Sequence, residues 1–161
     1  MFKKLGELTA RDLMTPDVIS VHQQDRLIDA IRKIDDFGVS ALPVVADDNK
    51  VVGIVSMFDL LNVSREIHSD LSALSLVTTE TRKFMIKLLA EQEDTTKIED
   101  VMTTPVNTIH EETNIVVAAR QMVHDGYRHL PVVDDHERVV GMVSSTDFVR
   151  VVAEQGALVA G

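Results

Sequence analysis

Two aspartates, Asp59 and Asp147, each follow a serine by three residues, Ser56 and Ser144, where the sequence predicts the start of a helix. A carboxylate accepts hydrogen bonds and therefore suits the vicinal hydroxyls of a ribose, and the free N–H groups of a helix start can bind a phosphate. The same spacing is that of a capping box, in which serine and aspartate satisfy the first backbone N–H groups. The two roles can coexist, and both stay open here.

Larger polar side chains precede an apolar run in the second half of the chain, at Tyr127-Arg128-His129. The chain has a formal net charge of -10 at pH 7, so Arg128 and His129 are candidates for binding a phosphate, to which a guanidinium can make bidentate hydrogen bonds. The alternative for Arg128 is a solvated ion pair with one of the many carboxylates. Tyr127 can stack on a base or cover the core.

Pro43 and Pro131 each remove a backbone donor from a predicted strand, which is tolerated where that side of the strand is unpaired. An unpaired strand rim can offer its remaining peptide groups to a base. The alternative is that each proline protects an edge strand.

No catalytic residues, metal site or required cofactor are predicted, and we expect that the protein is not an enzyme. The six histidines are scattered, cysteine is absent, and no metalloprotease, hydrolase or glycine-rich phosphate-loop motif is present. The negative charge would repel a phosphate backbone, so no nucleic-acid partner is expected.

We find no signal peptide and no apolar run of the ~18 residues that a membrane span needs. With the lack of cysteine, this favours a cytoplasmic protein without a membrane partner.

The elements that position these residues occur twice, because residues 12–61 return as residues 100–149 at a constant offset of 88. In that register 19 of the 50 positions are identical. Each copy has the pattern β-α-β-β-α. In the first, we expect a β-run at 18–21, a helix from the N-cap Asp25 to Gly38, strands at 41–46 and 51–56, and a second helix from Ser56. In the second, we expect Thr113 as N-cap, an apolar stripe of Ile115, Val116, Ala119 and Met122, and a helix end at Gly126.

We divide the chain into a lead-in (1–9), a first repeat (10–66), a helical connector (67–96), a second repeat (97–155) and a tail (156–161). The connector has apolar residues at helical spacing, which pack either on their own module or on a second subunit. They are Leu71, Leu74, Val77, Phe84, Met85, Leu88 and Leu89.

Three motifs, each present twice, resemble those of a tandem pair of CBS (cystathionine β-synthase) domains. They are Asp-x-Met-Thr at 12–15 and 100–103, Leu-Pro-Val-Val at 42–45 and 130–133, and Gly-x-Val-Ser-x-x-Asp at 53–59 and 141–147. The resemblance implies an α/β (α+β) fold of two repeats packed about a pseudo-twofold axis, with extra helices in the connector. It also implies two clefts that commonly bind AMP, ADP, ATP or S-adenosylmethionine, and frequent dimerisation of such pairs.

By this resemblance the two aspartates are ribose-binding positions, and residues 41–43 and 129–131 line adenine pockets. We expect the better site to comprise Asp147, Ser144, Ser145, Thr146, Tyr127, Arg128, His129 and Pro131. The weaker, altered or blocked site comprises Asp59, Ser56, Phe58, Val39, Ala41 and Pro43. The reason is that Ser145-Thr146 supplies hydroxyl groups where Met57-Phe58 supplies only bulk.

The sequence thus favours a stand-alone regulatory module, of the energy-sensing kind, that binds an adenosine-containing ligand and signals to an effector protein or a second copy in a homodimer. A ligand regulates only through different affinities for two conformations, so a partner must receive the change. The alternative is a CBS-type dimerisation scaffold whose clefts stay empty.

Overall fold

The computed structural model describes residues 4–59, 62, 80, 83, 84, 86, 87, 90 and 95–159. They form two compact units. The Asp147 unit holds the described residues of Met1–Val18, Asn49–Val51 and Asn107–Gly161, and the Asp59 unit holds those of Ile19–Asp48 and Val52–Val106. Each unit therefore combines most of one repeat with the leading segment of the other, where the leading segments are residues 10–18 and 98–106.

In the residues that the structure describes, the Asp59 unit contains a three-stranded sheet on which a helix packs. Its elements are β2 (Val21–His22), α2 (Leu27–Phe37), β3 (Ala41–Val45) and β4 (Val51–Ser56). The sheet order is β2-β3-β4, and β2 runs parallel to β3. The helix buries Ile31 and Ile34 against Leu42 of β3, and Ile98 of the second leading segment completes this core.

The Asp147 unit has the same plan, with the first leading segment added to its sheet. Its elements are α1 (Ala10–Leu13), β1 (Thr15–Pro16), β5 (Ile109–His110), α3 (Ile115–Asp125), β6 (His129–Val133), β7 (Val139–Ser144) and α4 (Ser145–Val159). The sheet order is β1-β7-β6-β5. The pair β1 and β7 is antiparallel, with Thr15 opposite Met142, and Ala10 and Leu13 of the leading segment join the core. The predicted α/β class is confirmed, and both repeats have the predicted order β-α-β-β. The closing helix of the second repeat is α4, whereas the one predicted from Ser56 is helical at 57–59 and then lies largely outside the described residues.

Both predicted N-caps are wrong by one residue, for the same physical reason. The carbonyl of Asp25 accepts a hydrogen bond from Ile98 N at 2.9 Å, and that of Thr113 accepts one from Ala10 N at 2.8 Å. The carbonyl of an N-cap residue would instead accept the first bond of its own helix. Since the leading segments occupy these carbonyls, the N-cap residue is Arg26 in α2 and Asn114 in α3. The Asn114 side chain caps its helix, whereas the Arg26 side chain makes no capping hydrogen bond.

Other boundaries agree with the sequence or shift slightly. Gly38 and Gly126 end their helices in the left-handed conformation, at φ of 63° and 72°, as predicted. The first strand is Val21–His22 rather than 18–21, and β3 ends at Val45. In α3 the buried alanine is Ala118, whereas Ala119 is half-buried.

Most of the predicted connector stripe lies outside the described residues, namely Leu71, Leu74, Val77, Met85, Leu88 and Leu89. Phe84 is described and exposed, and the neighbouring Ile86 packs against the core of the Asp59 unit. Across the described ranges, none of the helices combines the length and the apolar character that crossing a membrane would need.

Replacing Asn114 by alanine should lower the free energy of unfolding by about 1–2 kcal/mol, because a helix cap is lost. Its Oδ1 accepts from Val116 N at 2.9 Å, and its Nδ2 donates to the Gly6 carbonyl at 2.7 Å. Urea denaturation measures the change. Thr113→Ala is the matched control and should cost less than about 0.5 kcal/mol, since Thr113 uses its carbonyl and not its side chain; the reverse ranking would return the cap to Thr113.

Candidate ligand-binding sites

Asp147 lies in the first turn of α4, and both of its carboxylate oxygens have partners. Oδ2 accepts from Ser144 N at 2.8 Å and from Ser144 Oγ at 2.7 Å, and Oδ1 accepts from Arg150 Nη1 at 3.0 Å. The carboxylate is buried, with its side chain 7% exposed, whereas the side chain of Arg150 is 61% exposed. The helix cap uses only Oδ2 of Asp147. The other oxygen, Oδ1, is bonded to Arg150, whose side chain is largely exposed to solvent.

Asp59 makes the same cap in its own unit. Its Oδ2 accepts from Ser56 N at 2.8 Å and from Ser56 Oγ at 2.6 Å, and Asp59 N donates back to Ser56 Oγ at 3.4 Å. Its Oδ1 accepts from Thr103 Oγ1 at 3.4 Å. The reciprocal capping box is therefore confirmed at Asp59, and at Asp147 the structure shows the half in which the carboxylate accepts from the serine. In both, a contact with a ligand falls to the second oxygen of the carboxylate.

The two residues between the serine and the aspartate differ between the sites, in type and in burial. Ser145 and Thr146 are exposed at the start of α4. Met57 is buried in the core of the Asp59 unit, and Phe58 is 67% exposed. The bulk that we expected to weaken the Asp59 site thus comes from Phe58 alone.

The strand beside the Asp147 cap brings two of the predicted cations close to it. His129 pairs with Ser144 across β6 and β7, and the Arg128 carbonyl accepts from Ser145 N at 3.0 Å. Burial lowers the pKa of the His129 imidazole, Asp147 acts to raise it, and Arg128 lowers it further. His129 therefore favours its neutral form more than a free histidine does. In the Asp59 unit the same positions hold Ser40 and Ala41, and the Ser40 carbonyl accepts from Met57 N at 3.0 Å.

The edge-strand alternative for the two prolines is wrong, because β3 and β6 are each interior in their sheets. The reason the prolines are tolerated is local. β5 pairs with β6 only at Val132 and Val133, and β2 pairs with β3 only at Val44 and Val45. Pro131 and Pro43 lie one residue before those pairs. The short strands β2 and β5 therefore end before they reach Pro43 and Pro131, so neither proline is asked for a backbone donor in those pairings.

Tyr127 packs against the core of the Asp147 unit, and its hydroxyl accepts a hydrogen bond from Asn107 Nδ2 at 3.0 Å. Val39, at the same position of the first repeat, packs against the other core. This is the core-covering arrangement that the sequence left open for Tyr127.

Arg150 and Thr103 were missed by sequence reasoning. Arg150 could have been found from its spacing, because residues three apart on a helix are neighbours and favour ion pairs. Thr103 could not, because only docking of the second leading segment on β4 places it beside Asp59. That docking is made by two bonds between Ile54 and Thr103, of 2.9 and 3.2 Å. Within the described ranges, no three metal-binding side chains cluster.

The CBS domain model matches residues 10–66 and 98–154 of this chain. An uncharacterized protein of Methanocaldococcus jannaschii is 32% identical over 150 residues, covering 87% of this chain and 88% of its own. The chain spans 25% of a homoserine O-acetyltransferase of Methanosalsum zhilinae, to which it is 26% identical over 92% of its own length.

Two solved structures show the same fold with ligands bound. CBSX2 of Arabidopsis thaliana in complex with AMP has a TM-score of 0.69 and 26% identity, covering 92% of this chain and 98% of that one. The CBS domain pair of protein MJ0100, in complex with 5′-methylthioadenosine and S-adenosyl-L-methionine, has a TM-score of 0.68 and 25% identity, with coverages of 92% and 98%. From the repeated motifs, the fold and these matches, the chain belongs to the CBS domain family and carries two CBS domains in tandem.

Proposed function

We propose that this chain is a regulatory module, not an enzyme, that binds an adenosine-containing ligand at the Asp147 site and signals to a partner. The observation that carries the proposal is the arrangement of the Asp147 carboxylate. One oxygen is fixed by the helix cap, and the other meets an exposed arginine that a ligand hydroxyl can replace. The complexes of CBSX2 with AMP and of MJ0100 with 5′-methylthioadenosine and S-adenosyl-L-methionine support this ligand class.

The chemistry around Asp147 suits each part of such a ligand. A ribose would donate its hydroxyls to Oδ1, and the exposed hydroxyls of Ser145 and Thr146 lie at the helix start, where backbone N–H groups favour a phosphate. The guanidinium of Arg128 adds positive charge from the strand end beside the helix start, and the His129 imidazole adds a hydrogen-bonding group. The rim of β6 at Pro131 is the place for the base, as the resemblance implies.

The second site, at Asp59, is proposed as the weaker of the two. It has the same cap, but it has no cation at the positions of Arg128 and His129, and Phe58 is exposed beside it. No ligand is required as a cofactor in either site, because the bound molecule acts as a signal.

The readout requires a second molecule, since a ligand shifts a conformational equilibrium only by its different affinities for two states. We therefore keep a homodimer and an effector protein as parts of the proposal. A cytoplasmic location and an energy-sensing role stay predictions of the same kind.

One observation favours the alternative of a ligand-free scaffold. Val149 and Val152, three residues apart on α4, are 68% and 61% exposed. They lie on one face of the helix and form an apolar surface that a second copy could cover.

The test is a thermal-denaturation titration of the wild-type protein with AMP, ADP, ATP, S-adenosylmethionine and GMP, repeated with Asp147→Asn and Asp59→Asn. A ligand that binds only the folded state stabilises it by about 2.7 kcal/mol at a hundredfold excess over its dissociation constant. We expect adenine-selective stabilisation that Asp147→Asn abolishes and Asp59→Asn largely keeps. Asparagine is used because it retains a side-chain acceptor for the cap.

The other outcomes are equally informative. No shift with any compound at millimolar concentration would favour the scaffold. A shift that is lost in Asp59→Asn and kept in Asp147→Asn would move the principal site to the first repeat.

A further inference from the structure

Arg150 occupies the carboxylate oxygen that a ribose would need. Its Nη1 donates to Asp147 Oδ1 at 3.0 Å, while Oδ2 is held by Ser144. The two partners differ in burial, because the Asp147 side chain is 7% exposed and that of Arg150 is 61% exposed. The arginine can therefore leave the carboxylate for another partner in solvent without uncovering the core.

The first repeat has no counterpart to this ion pair. At the constant offset of 88, Asn62 stands at the position of Arg150, and Ser40 and Ala41 stand at those of Arg128 and His129. Asp59 Oδ1 instead accepts from a neutral hydroxyl, that of Thr103, at 3.4 Å. Three basic side chains are thus gathered in sequence around Asp147, and uncharged residues replace all three around Asp59.

We propose that Arg150 selects ligands by charge at the Asp147 site, favouring phosphorylated adenosine over neutral or cationic adenosine compounds. The inference rests on the proposed function and adds to it the class of ligand. When the ribose hydroxyls take Oδ1, the displaced guanidinium loses its ion pair with Asp147, and an anionic partner compensates for that loss better than water does. A phosphate on the same ligand provides one, whereas adenosine or 5′-methylthioadenosine provides none.

The geometry keeps Arg150 near enough for this exchange. Side chains three residues apart on a helix have Cβ atoms about 5–6 Å from each other, and arginine is long and can bond a phosphate through two N–H groups. A cationic ligand meets the opposite situation, because the sulfonium of S-adenosylmethionine would lie close to the freed guanidinium and be repelled. The Asp59 site has Asn62 and Ser40 in place of Arg150 and Arg128, so it should not discriminate in this way.

Isothermal titration calorimetry of wild type and Arg150→Asn with AMP and with adenosine tests the inference. Asparagine is the residue that the first repeat has at this position. We expect AMP affinity to fall about tenfold, the loss of one charge-assisted hydrogen bond, and adenosine affinity to stay the same or rise. The preference for AMP over adenosine therefore falls by tenfold or more.

Two further variants serve as controls. Arg120→Asn makes the same change of charge at an exposed position of α3 and should leave the preference unchanged. Arg150→Lys keeps the charge and should retain most of the preference for AMP. If Arg150→Asn folds poorly, Arg150→Gln takes its place, because glutamine also removes the charge and has a higher helix propensity than asparagine.

Several results would overturn the inference. They are a wild-type protein that binds adenosine as tightly as AMP, an Arg150→Asn variant whose affinities for both ligands change equally, and an Arg150→Lys variant without the preference. If wild type binds adenine compounds and Asp147→Asn abolishes binding, such a result removes only the inference. If wild type binds none of them, the proposed function fails and the inference fails with it.

Discussion

Gly141→Ala should destabilise the protein by about 1–3 kcal/mol, the usual cost of forcing an extra group into a packed site. A Cβ built at Gly141 meets the Met14 thioether sulfur and lies 2.9 Å from the carbonyl oxygen of Thr15. The thioether can move, but the carbonyl belongs to β1, which pairs with β7 at this point. The new methyl group must therefore push the first leading segment away from the sheet.

Equilibrium urea denaturation measures this effect, and two other glycines calibrate it. Gly53 repeats the contact in the Asp59 unit, with Cβ distances of 2.6 Å to Met102 Sδ and 3.2 Å to the Thr103 carbonyl oxygen. Gly6 has nothing within 4 Å of its Cβ. We expect the loss of stability to be largest for Gly141→Ala, smaller for Gly53→Ala and negligible for Gly6→Ala. If Gly141→Ala matched Gly6→Ala, close packing of the leading segment would not explain the glycine.

The second large effect concerns Asp147→Ala in the absence of ligand, which should lower the free energy of unfolding by about 1–3 kcal/mol. The change removes the acceptor for Ser144 N, Ser144 Oγ and Arg150 Nη1 together. The backbone N–H of Ser144, at the start of the helix, is left without its acceptor. Because the carboxylate it bonded was buried, the loss of this hydrogen bond is costly.

Asp59→Ala is the matched control, because the cap is the same and the second oxygen has only a 3.4 Å contact with Thr103. We expect Asp59→Ala to cost less than Asp147→Ala in the same denaturation experiment. Equal costs would show that the Arg150 pair adds nothing to stability, as is common for ion pairs with an exposed partner.

Local features of the fold were predictable because they depend on residues close in sequence. The helix ends at Gly38 and Gly126 need only a residue that tolerates positive φ. The bonds from serine to the carboxylates of Asp59 and Asp147 need only a serine three residues earlier, and both form. The repeat made these predictions firmer, since each feature was seen twice.

Tertiary contacts decided what the sequence could not. The N-caps moved from Asp25 to Arg26 and from Thr113 to Asn114, because leading segments take the carbonyls of Asp25 and Thr113. The same docking places Thr103 beside Asp59. None of these contacts joins residues that are near in sequence, so no local pattern announces them.

The exchange of leading segments is the clearest case. Two repeats with the same motifs offer each leading segment two similar docking surfaces, and the motifs alone do not choose between them. In the structure Arg11 docks on the second repeat, with Nη2 2.7 Å from Glu111 and 3.1 Å from Glu112. The first repeat has Gln23 and Gln24 at those positions.

The other leading segment has the complementary pattern, since Glu99 accepts from Gln24 Nε2 at 2.8 Å. Docked on its own repeat, Glu99 would instead face Glu111 and Glu112, and like charges would repel.

The sequence by itself therefore determined the repeats, their helices and strands, and the two capped aspartates. Only the tertiary structure decided which leading segment completes which site, because that choice depends on side chains about 75 to 100 residues apart along the chain.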